Sequence, residues 1–255
     1  MIQGHNLSDS VQSVRGVLRS LRIYYGDRPR HRAMDTLYRQ FARPGDLVFD
    51  IGSHVGDRIA SFRRLGCRVV ALEPQPHLAR LLTLLYGWRP GVTVVHAAAG
   101  AALGRLDLHL NLAYPTVATG STAFIAAAKD ADGWREQRWT RRVSVAQTTL
   151  DDLIRDHGEP AFVKIDVEGF EAEVLSGLTR PISALSFEFT TIQRDIAHAA
   201  LDRCAALGRY RFNAALGESQ RLLSARWLEI DEVRGWLDTL SPEANSGDIY
   251  ARLPA

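Results

Sequence analysis

Four acidic residues stand at or near the ends of apolar runs that have the length of a strand. Helical patterns separate these runs, which predicts parallel strands whose carboxyl ends share one edge of a sheet, where ligands bind. Unpaired buried carboxylates are costly, so acids gathered at such an edge indicate a polar ligand site. The alternative is that each acid caps a helix or pairs with an arginine. The four residues are Asp50, Glu73, Asp166 and Glu188.

A glycine-containing turn follows the first acid, in the segment VFDIGSHVGD from Val48 to Asp57. A dinucleotide site favours G-x-G-x-x-G, because its second glycine lets the backbone approach a pyrophosphate. Here those positions are Gly52, His54 and Asp57, so only the first is glycine. The carboxylate of Asp50 would also repel phosphate and attract a cationic ligand. The turn therefore favours S-adenosylmethionine, which carries a sulfonium and an ammonium, over NAD.

The expected cofactor site combines this turn with the ends of the next two predicted strands. The carboxylate of Glu73 suits the two hydroxyls of a ribose. The third strand, predicted from Val92 to Ala99, ends in small side chains that leave room for adenine, although close packing against a helix explains them equally well. The predicted cofactor-binding residues are Asp50, Gly52, Ser53, His54, Gly56, Glu73, Pro74, Ala98, Ala99 and Asp166.

A lysine and two acids lie close together in the segment FVKIDVEGFEAEVLSG from Phe162 to Gly177. Strand alternation places Lys164 and Asp166 on the same face. A lysine within a buried strand needs a carboxylate, which Asp166, Glu168 or Glu188 could supply. Such a network can aim a general base at an acceptor hydroxyl, or it can be a structural ion pair that joins two strands. Both interpretations stay open.

Five segments together resemble the FkbM-type S-adenosylmethionine-dependent methyltransferases. Their order and spacing match over roughly residues 43 to 190, and the KIDVEG block is more specific than the glycine turn. His54 departs from the small residue or asparagine common in that family. The resemblance implies an O-methyltransferase that acts on sugar or natural-product hydroxyls. The segments are VFDIGSHVGD (48–57), VVALEPQP (69–76), TTLDDL (148–153), FVKIDVEGFEAEVLSG (162–177) and LSFEF (185–189).

In-line methyl transfer requires the acceptor oxygen to be held against the methyl group and its proton to be removed. The candidate base is Asp166 or Glu168, with Lys164 as the residue that orients it and His54 as the second choice. No metal-ligand spacing stands out, so no metal is expected. The competing hypotheses are an NAD-dependent oxidoreductase and a catalytically idle binding protein that keeps the nucleotide-binding fold.

The predicted fold is α/β and Rossmann-like, as in class I methyltransferases, with a mostly parallel seven-stranded sheet and helices on both faces. Residues 44–255 are predicted to form this domain. Residues 1–43 are predicted to form an N-terminal helical extension, with a break at Ile23 to Asp27 and a second helix from Met34 to Phe41. The extension is interpreted as a cap on the sheet or, alternatively, as a lid or a dimer contact. The acceptor is expected at the insertion of residues 111–139, unless this is only an ordered loop.

The 255-residue chain has an ordinary composition, with 46% hydrophobic and 24% charged residues and a net charge of +2. This balance gives no reason to expect nucleic acid or a membrane as a partner, and the expected partner is a small-molecule or glycan acceptor, with a homodimer possible. No apolar run reaches the length of a membrane span. The residues from Gln3 to Asp9 lack the pattern of a secretion signal, so a cytoplasmic location is expected.

Overall fold

The computed structural model describes residues 7–254, and within them the chain alternates strands and helices. The strands are β1 (Leu47–Ile51), β2 (Arg68–Leu72), β3 (Val92–Val95), β4 (Ala98–Ala99), β5 (Gly104–Leu110), β6 (Arg141–Thr148), β7 (Phe162–Ile165), β8 (Ala184–Thr190), β9 (Arg211–Leu216) and β10 (Ser246–Arg252). The helices are α1 (Leu7–Gly26), α2 (Arg28–Tyr38), α3 (Asp57–Arg64), α4 (Pro76–Tyr86), α5 (Thr122–Asp130), α6 (Leu150–His157), α7 (Glu171–Ser176), α8 (Arg194–Leu207) and α9 (Ile230–Thr239).

The main sheet has seven strands in the order β3-β2-β1-β7-β8-β10-β9. Its strands pair in parallel except β10, which is antiparallel to both of its neighbours. The prediction of a mostly parallel seven-stranded sheet is therefore confirmed. The strand order reverses between β1 and β7, so a crevice opens there at the carboxyl ends of the strands, where ligands bind in such sheets.

Helices cover both faces of this sheet, because the central strands alternate apolar side chains between two cores. In β1, Phe49 and Ile51 are fully buried in one core with residues of α6 to α9. Val48 points to the opposite face and is buried with Met34 of α2 and Phe62 of α3. Strands buried on both faces explain why the sequence pattern of β1 is continuously apolar up to its acid.

The N-terminal helices differ in their bounds from the prediction. The expected break at Ile23 to Asp27 is confined to Asp27, since α1 continues to Gly26, and the second helix, α2, spans Arg28–Tyr38 instead of Met34 to Phe41. The Asp27 side chain accepts a hydrogen bond from the Arg30 backbone N–H and caps α2. The residues before Leu7, on which part of the secretion-signal interpretation rests, lie outside the described residues, and the domain boundary at residue 43 stays a prediction. No helix among the residues described is long and apolar enough to cross a membrane.

The third predicted strand is divided in the structure. The main-sheet strand β3 ends at Val95, and Ala98–Ala99 pairs instead with β6 in a second sheet of order β4-β6-β5. Alanine has little preference for strands, so the alanine run carried no information about which sheet it would join. The second sheet, which the sequence pattern did not predict, holds the insertion beside the crevice.

Gly52, the first residue after β1, allows a close approach of two backbone segments. Its φ is 85°, and a Cβ atom at this position would lie 1.9 Å from the carbonyl oxygen of Asp166. The left-handed backbone alone costs an L-residue about 1–2 kcal/mol, and the clash adds to this cost. We expect Gly52→Ala to lower the free energy of unfolding by at least about 3 kcal/mol in urea denaturation.

Gly45→Ala is the matched control for this substitution. Gly45 has a similar φ of 92°, but a Cβ atom there would meet nothing within 4 Å. Its loss should be only about 1 kcal/mol, from the backbone strain. Equal losses for the two variants would contradict the close approach.

Candidate functional site

A cleft opens at the crevice between β1 and β7, and the space within it, including its opening to solvent, is about 830 Å³. One end of the cleft is formed by the turn after β1, the end of β2 and the alanines of β4. The other end is formed by the loop after β7, by β8 and by residues of the N-terminal helix. The predicted residues that line the cleft are Gly52, His54, Glu73, Pro74, Ala98, Ala99, Asp166 and Glu168.

Two backbone hydrogen bonds fix the Glu73 side chain at the first end of the cleft. It is 2% exposed, its Oε2 accepts the His54 backbone N–H at 2.7 Å, and its Oε1 accepts that of Gln75 at 2.8 Å. Burial raises the pKa of the Glu73 carboxyl to about 8. In the ionised form of Glu73, each carboxylate oxygen has a further lone pair, so the side chain can then accept two hydroxyl donors.

Three predicted cofactor residues do not line the cleft, and they shape the turn instead. Asp50 is fully buried and lies beside Lys164 in the strand register, because alternation along β1 turns its side chain toward α2 and α3. Burial raises the pKa of Asp50 to about 6. The Ser53 hydroxyl donates to the Asp50 carbonyl oxygen at 2.8 Å, and Gly56 begins α3 with a φ of 84°. The prediction that these three residues contact the cofactor is therefore not supported by the geometry.

Lys164 lies at the centre of a buried ion network. Its side chain is 0% exposed, with Nζ 2.9 Å from Asp248 Oδ1 and 3.4 Å from Asp166 Oδ2. Arg58 reaches the same oxygen of Asp166 with its Nη2 at 2.8 Å. Of the three carboxylates that the sequence offered as partners of Lys164, Asp166 is the one that pairs with it, although Asp248 of β10 is the closer partner. Lys164 also donates to the Ile165 carbonyl oxygen at 3.0 Å.

The three acids at the second end of the cleft differ in their proton affinity. Burial opposes ionisation of Asp166, but Lys164 and Arg58 hold the pKa of its carboxyl below the usual value. Burial and then the charge of Asp166 raise the pKa of Glu168 well above the usual value. Burial and then the charge of Glu168 raise the pKa of Glu188 in the same direction. Of these three acids, Glu168 and Glu188 therefore hold a proton more readily than Asp166 does.

Oxygen atoms of Asp166, Glu168 and Glu188 lie within 4.8 Å of one another. Carboxylate oxygens at this spacing are compatible with a divalent cation as well as with hydrogen-bond donors. The expectation that no metal takes part stays a prediction.

The loop that carries Glu168 is strained and held in place by its neighbours. Glu168 has a φ of 55°, which is uncommon for a residue with a side chain. Glu171 Oε1 accepts the backbone N–H groups of Val167 and Gly169 at 3.2 and 3.3 Å. The Thr119 hydroxyl, from the insertion, donates to the Glu168 carbonyl oxygen at 2.6 Å. The insertion thus helps to hold the loop that carries Glu168 in place.

His54 lies in the cleft beside the N-terminal helix. Its ring meets the edge of Tyr24 with the centroids 5.4 Å apart, and no partner of its Nε2 is found among the described residues. Burial lowers the pKa of His54 to about 4, so the ring is neutral near pH 7. Arg30 covers Tyr24 at 4.9 Å and bridges Asp57 (2.9 Å) and Glu218 (2.7 Å). The first N-terminal helix, α1, therefore contributes Tyr24 directly to the wall of the cleft, and Arg30 of α2 packs on that ring.

Sequence reasoning missed two charged residues that line the cleft, Arg58 and Glu218. Arg58 could have been found, because it lies in the first turn of the helix that follows the glycine turn. Glu218 had no such signal, since it follows the edge strand β9 and reaches the cleft only through the tertiary fold.

Comparison with known proteins gives a family match and a remote fold match. Residues 50–240 match the family model described as a methyltransferase FkbM domain. The hexuronic acid methyltransferase AglP of Haloferax volcanii is 27% identical over 204 residues, which is 79% of this chain and 74% of that protein. An O-methyltransferase from Bacillus cereus, solved in complex with SAH, superposes with a TM-score of 0.50 at 12% identity, covering 100% of this chain and 94% of that one.

A precorrin-6y C5,15-methyltransferase from Geobacter metallireducens superposes with a TM-score of 0.46 at 13% identity, covering 88% of each chain. The similarity to the Bacillus cereus enzyme agrees with the predicted class I methyltransferase fold. The matched residues span most of the chain and include the glycine turn, Glu73 and the loop that carries Glu168. The chain is a methyltransferase and belongs to the FkbM methyltransferase family.

Proposed function

We propose that this chain transfers a methyl group from S-adenosylmethionine to a hydroxyl group of a sugar. The observation that carries the proposal is a cleft that joins the glycine turn and Glu73 to the carboxyl groups of Glu168 and Glu188. Membership in the FkbM methyltransferase family supports the reaction. The name of the archaeal relative, a hexuronic acid methyltransferase, supports a sugar as the acceptor.

The residues at the first end of the cleft fit S-adenosylmethionine better than a diphosphate. Glu73 would hold the ribose hydroxyls, and the small side chains of Ala98 and Ala99 would adjoin the adenine ring. When bound, S-adenosylmethionine supplies a methyl group activated by its positively charged sulfur. Among the described residues that line the cleft, Arg58 is the only strong cation, and it is paired with Asp166. A diphosphate would find no free cation, which disfavours the NAD-dependent alternative.

Glu168 is the general base that the geometry favours. Asp166 is held as an anion by Lys164 and Arg58, which makes it a weak base and a structural anchor. Glu168 lines the cleft with a raised pKa, so its carboxylate is a stronger base for the proton of the acceptor hydroxyl. Lys164 acts through Asp166 as a positioning residue. His54, neutral and with Nε2 lacking a partner among the described residues, is the second choice.

We also propose the other properties that the sequence led us to expect. These are a homodimer, no nucleic acid or membrane partner, a cytoplasmic location and a reaction without a metal. A catalytically idle protein would bind the cofactor and transfer no methyl group, so the activity measurements below separate that hypothesis from the proposed one.

Cofactor binding is tested by Glu73→Gln. The new amide can accept only one of the two backbone N–H groups that Glu73 now accepts and cannot accept both hydroxyls of a ribose. In calorimetric titration, we expect S-adenosylmethionine to bind this variant about tenfold or more weakly than the unmodified protein. Glu173→Gln, at an exposed position of α7, should bind normally. Saturable binding of NADH, or unchanged affinity in Glu73→Gln, would argue against the proposed cofactor site.

Replacing Asp166 or Glu168 by the corresponding amide distinguishes a structural role from a catalytic role. Asp166→Asn leaves two buried cations without their shared anion, so we expect it to lose about 3–5 kcal/mol of unfolding free energy. Glu168→Gln should change that free energy by less than about 1 kcal/mol and lower kcat about 100-fold or more. Urea denaturation and radiolabelled methyl transfer measure the two quantities. The opposite pattern, with a stable, inactive Asp166→Asn and an active Glu168→Gln, would return the role of base to Asp166.

The pH dependence follows from the raised pKa of Glu168. A base must be deprotonated to act, so kcat/KM should rise with pH through the pKa of this group. Because burial and the charges of Asp166 and Glu171 raise that pKa, the midpoint should lie above the ordinary value of about 4.3 for glutamate. Initial rates between about pH 5 and 9 measure this limb. A rate that is flat across the range, or a limb unchanged in Glu168→Gln, would exclude Glu168 as the titrating group.

A further inference from the structure

The second end of the cleft, where the acceptor would bind and which is called the acceptor end below, has more acidic than basic side chains. Four of the residues that line it are acidic: Asp166, Glu168, Glu188 and Glu218. The cation at this end, Arg58, has its Nη2 2.8 Å from Asp166 and its Nη1 4.0 Å from Asp57. The nearby imidazole of His54 is neutral near pH 7, because burial lowers its pKa.

A negatively charged group on the acceptor would therefore lie beside carboxyl groups, and no free cation on the described part of the cleft wall would be available to pair with it. Arg30 does not line the cleft, and its guanidinium already forms ion pairs with Asp57 and Glu218. Juxtaposed like charges discriminate strongly against a wrong partner when no counter-charge is present. The same carboxyl groups would not disfavour an uncharged polyol.

The geometry of the acids suits neighbouring hydroxyl groups. Oxygens of Glu168 and Glu188 lie within 4.8 Å of each other, a distance that two adjacent hydroxyls of a sugar ring can bridge. Glu188 Oε2 is buried and makes no hydrogen bond with the described residues, so one acceptor position is unfilled. The raised pKa of both groups lets the pair retain a proton and so donate as well as accept. The aromatic rings of Tyr24 and Phe170 line the cleft nearby and offer apolar surface for the sugar's C–H groups.

We propose that the acceptor is an uncharged sugar with neighbouring hydroxyl groups, and that Glu168 and Glu188 select it against hexuronates and sugar phosphates. This inference rests on the proposed function and narrows its substrate class. It also predicts a difference from the archaeal relative, whose name specifies a hexuronic acid. Glu188 acts here as a specificity-determining residue, while Glu168 both binds and accepts the proton.

The test uses p-nitrophenyl glycosides that differ only at carbon 6. The glucoside and galactoside are compared with the glucuronide and galacturonide, in which a carboxylate replaces the hydroxymethyl group. Methyl transfer is followed with radiolabelled S-adenosylmethionine, and acceptor binding is measured by calorimetry on protein loaded with S-adenosylhomocysteine. We expect each neutral glycoside to exceed its uronide about tenfold or more in both readouts.

Glu188→Gln replaces an ionisable carboxyl group of the acceptor end by an uncharged amide and keeps the side-chain shape. We expect it to reduce the ratio of neutral glycoside to uronide binding about threefold or more. Glu136→Gln, at an exposed position of the insertion, is the matched control and should leave that ratio unchanged. A ratio that does not move in Glu188→Gln overturns the assignment of Glu188.

The outcomes that overturn the proposal differ from those that overturn the proposed function. Equal or stronger binding of the uronides overturns the inference, as does uronide methylation that requires Mg²⁺ and is abolished by EDTA, because a cation would then occupy the acid cluster. Failure of all four glycosides to bind overturns it as well. Failure of S-adenosylmethionine itself to bind the unmodified protein overturns the proposed function instead.

Discussion

The structure of the site depends on the neutralisation of one buried cation, the ammonium group of Lys164. A fully buried charge is tolerated only when it is paired and hydrogen-bonded. Asp248 and Asp166 supply the pairing, and the Ile165 carbonyl oxygen accepts a further hydrogen bond. This requirement ties the end of β7 to β10 across the intervening strand β8. It fixes where the chain must turn away from the sheet, immediately above the cofactor turn.

Asp166, the acid nearest the end of β7, forms ion pairs with both Lys164 and Arg58. We therefore assign it a structural role. In the proposed mechanism, the acceptor proton is taken instead by Glu168, two residues further along the chain, which lines the cleft. Glu171 and Thr119 hold that loop through backbone groups, so the strain is supported from the following helix and from the insertion. The close approach of Gly52 to the Asp166 carbonyl oxygen brings the cofactor turn and the base-bearing loop into one cleft. In this proposal, the structural role and the catalytic role are divided between the neighbouring acids Asp166 and Glu168.

Much of this arrangement could be predicted from local sequence patterns. The strand, glycine turn, helix and second strand around Gly52 follow from hydrophobic periodicity, and strand alternation places Lys164 and Asp166 on the same face. The partner Asp248 could not be found in this way, since it lies on the last strand and meets Lys164 only through the sheet order. The direction of the Asp50 side chain was also missed. When helices cover both faces of a sheet, periodicity does not show which face a given side chain points to. Tyr24 enters the cleft because α1 continues to Gly26, into the expected break.

The central claim is that Asp166 anchors the site while Glu168 faces the acceptor. A crystal structure of the protein with S-adenosylhomocysteine and a neutral hexoside would test it most directly. The account predicts that Arg58 and Lys164 still contact Asp166, and that a sugar hydroxyl lies within hydrogen-bond distance of the Glu168 carboxylate. An acceptor hydroxyl bound to Asp166, with Arg58 displaced and Glu168 turned away, would contradict it.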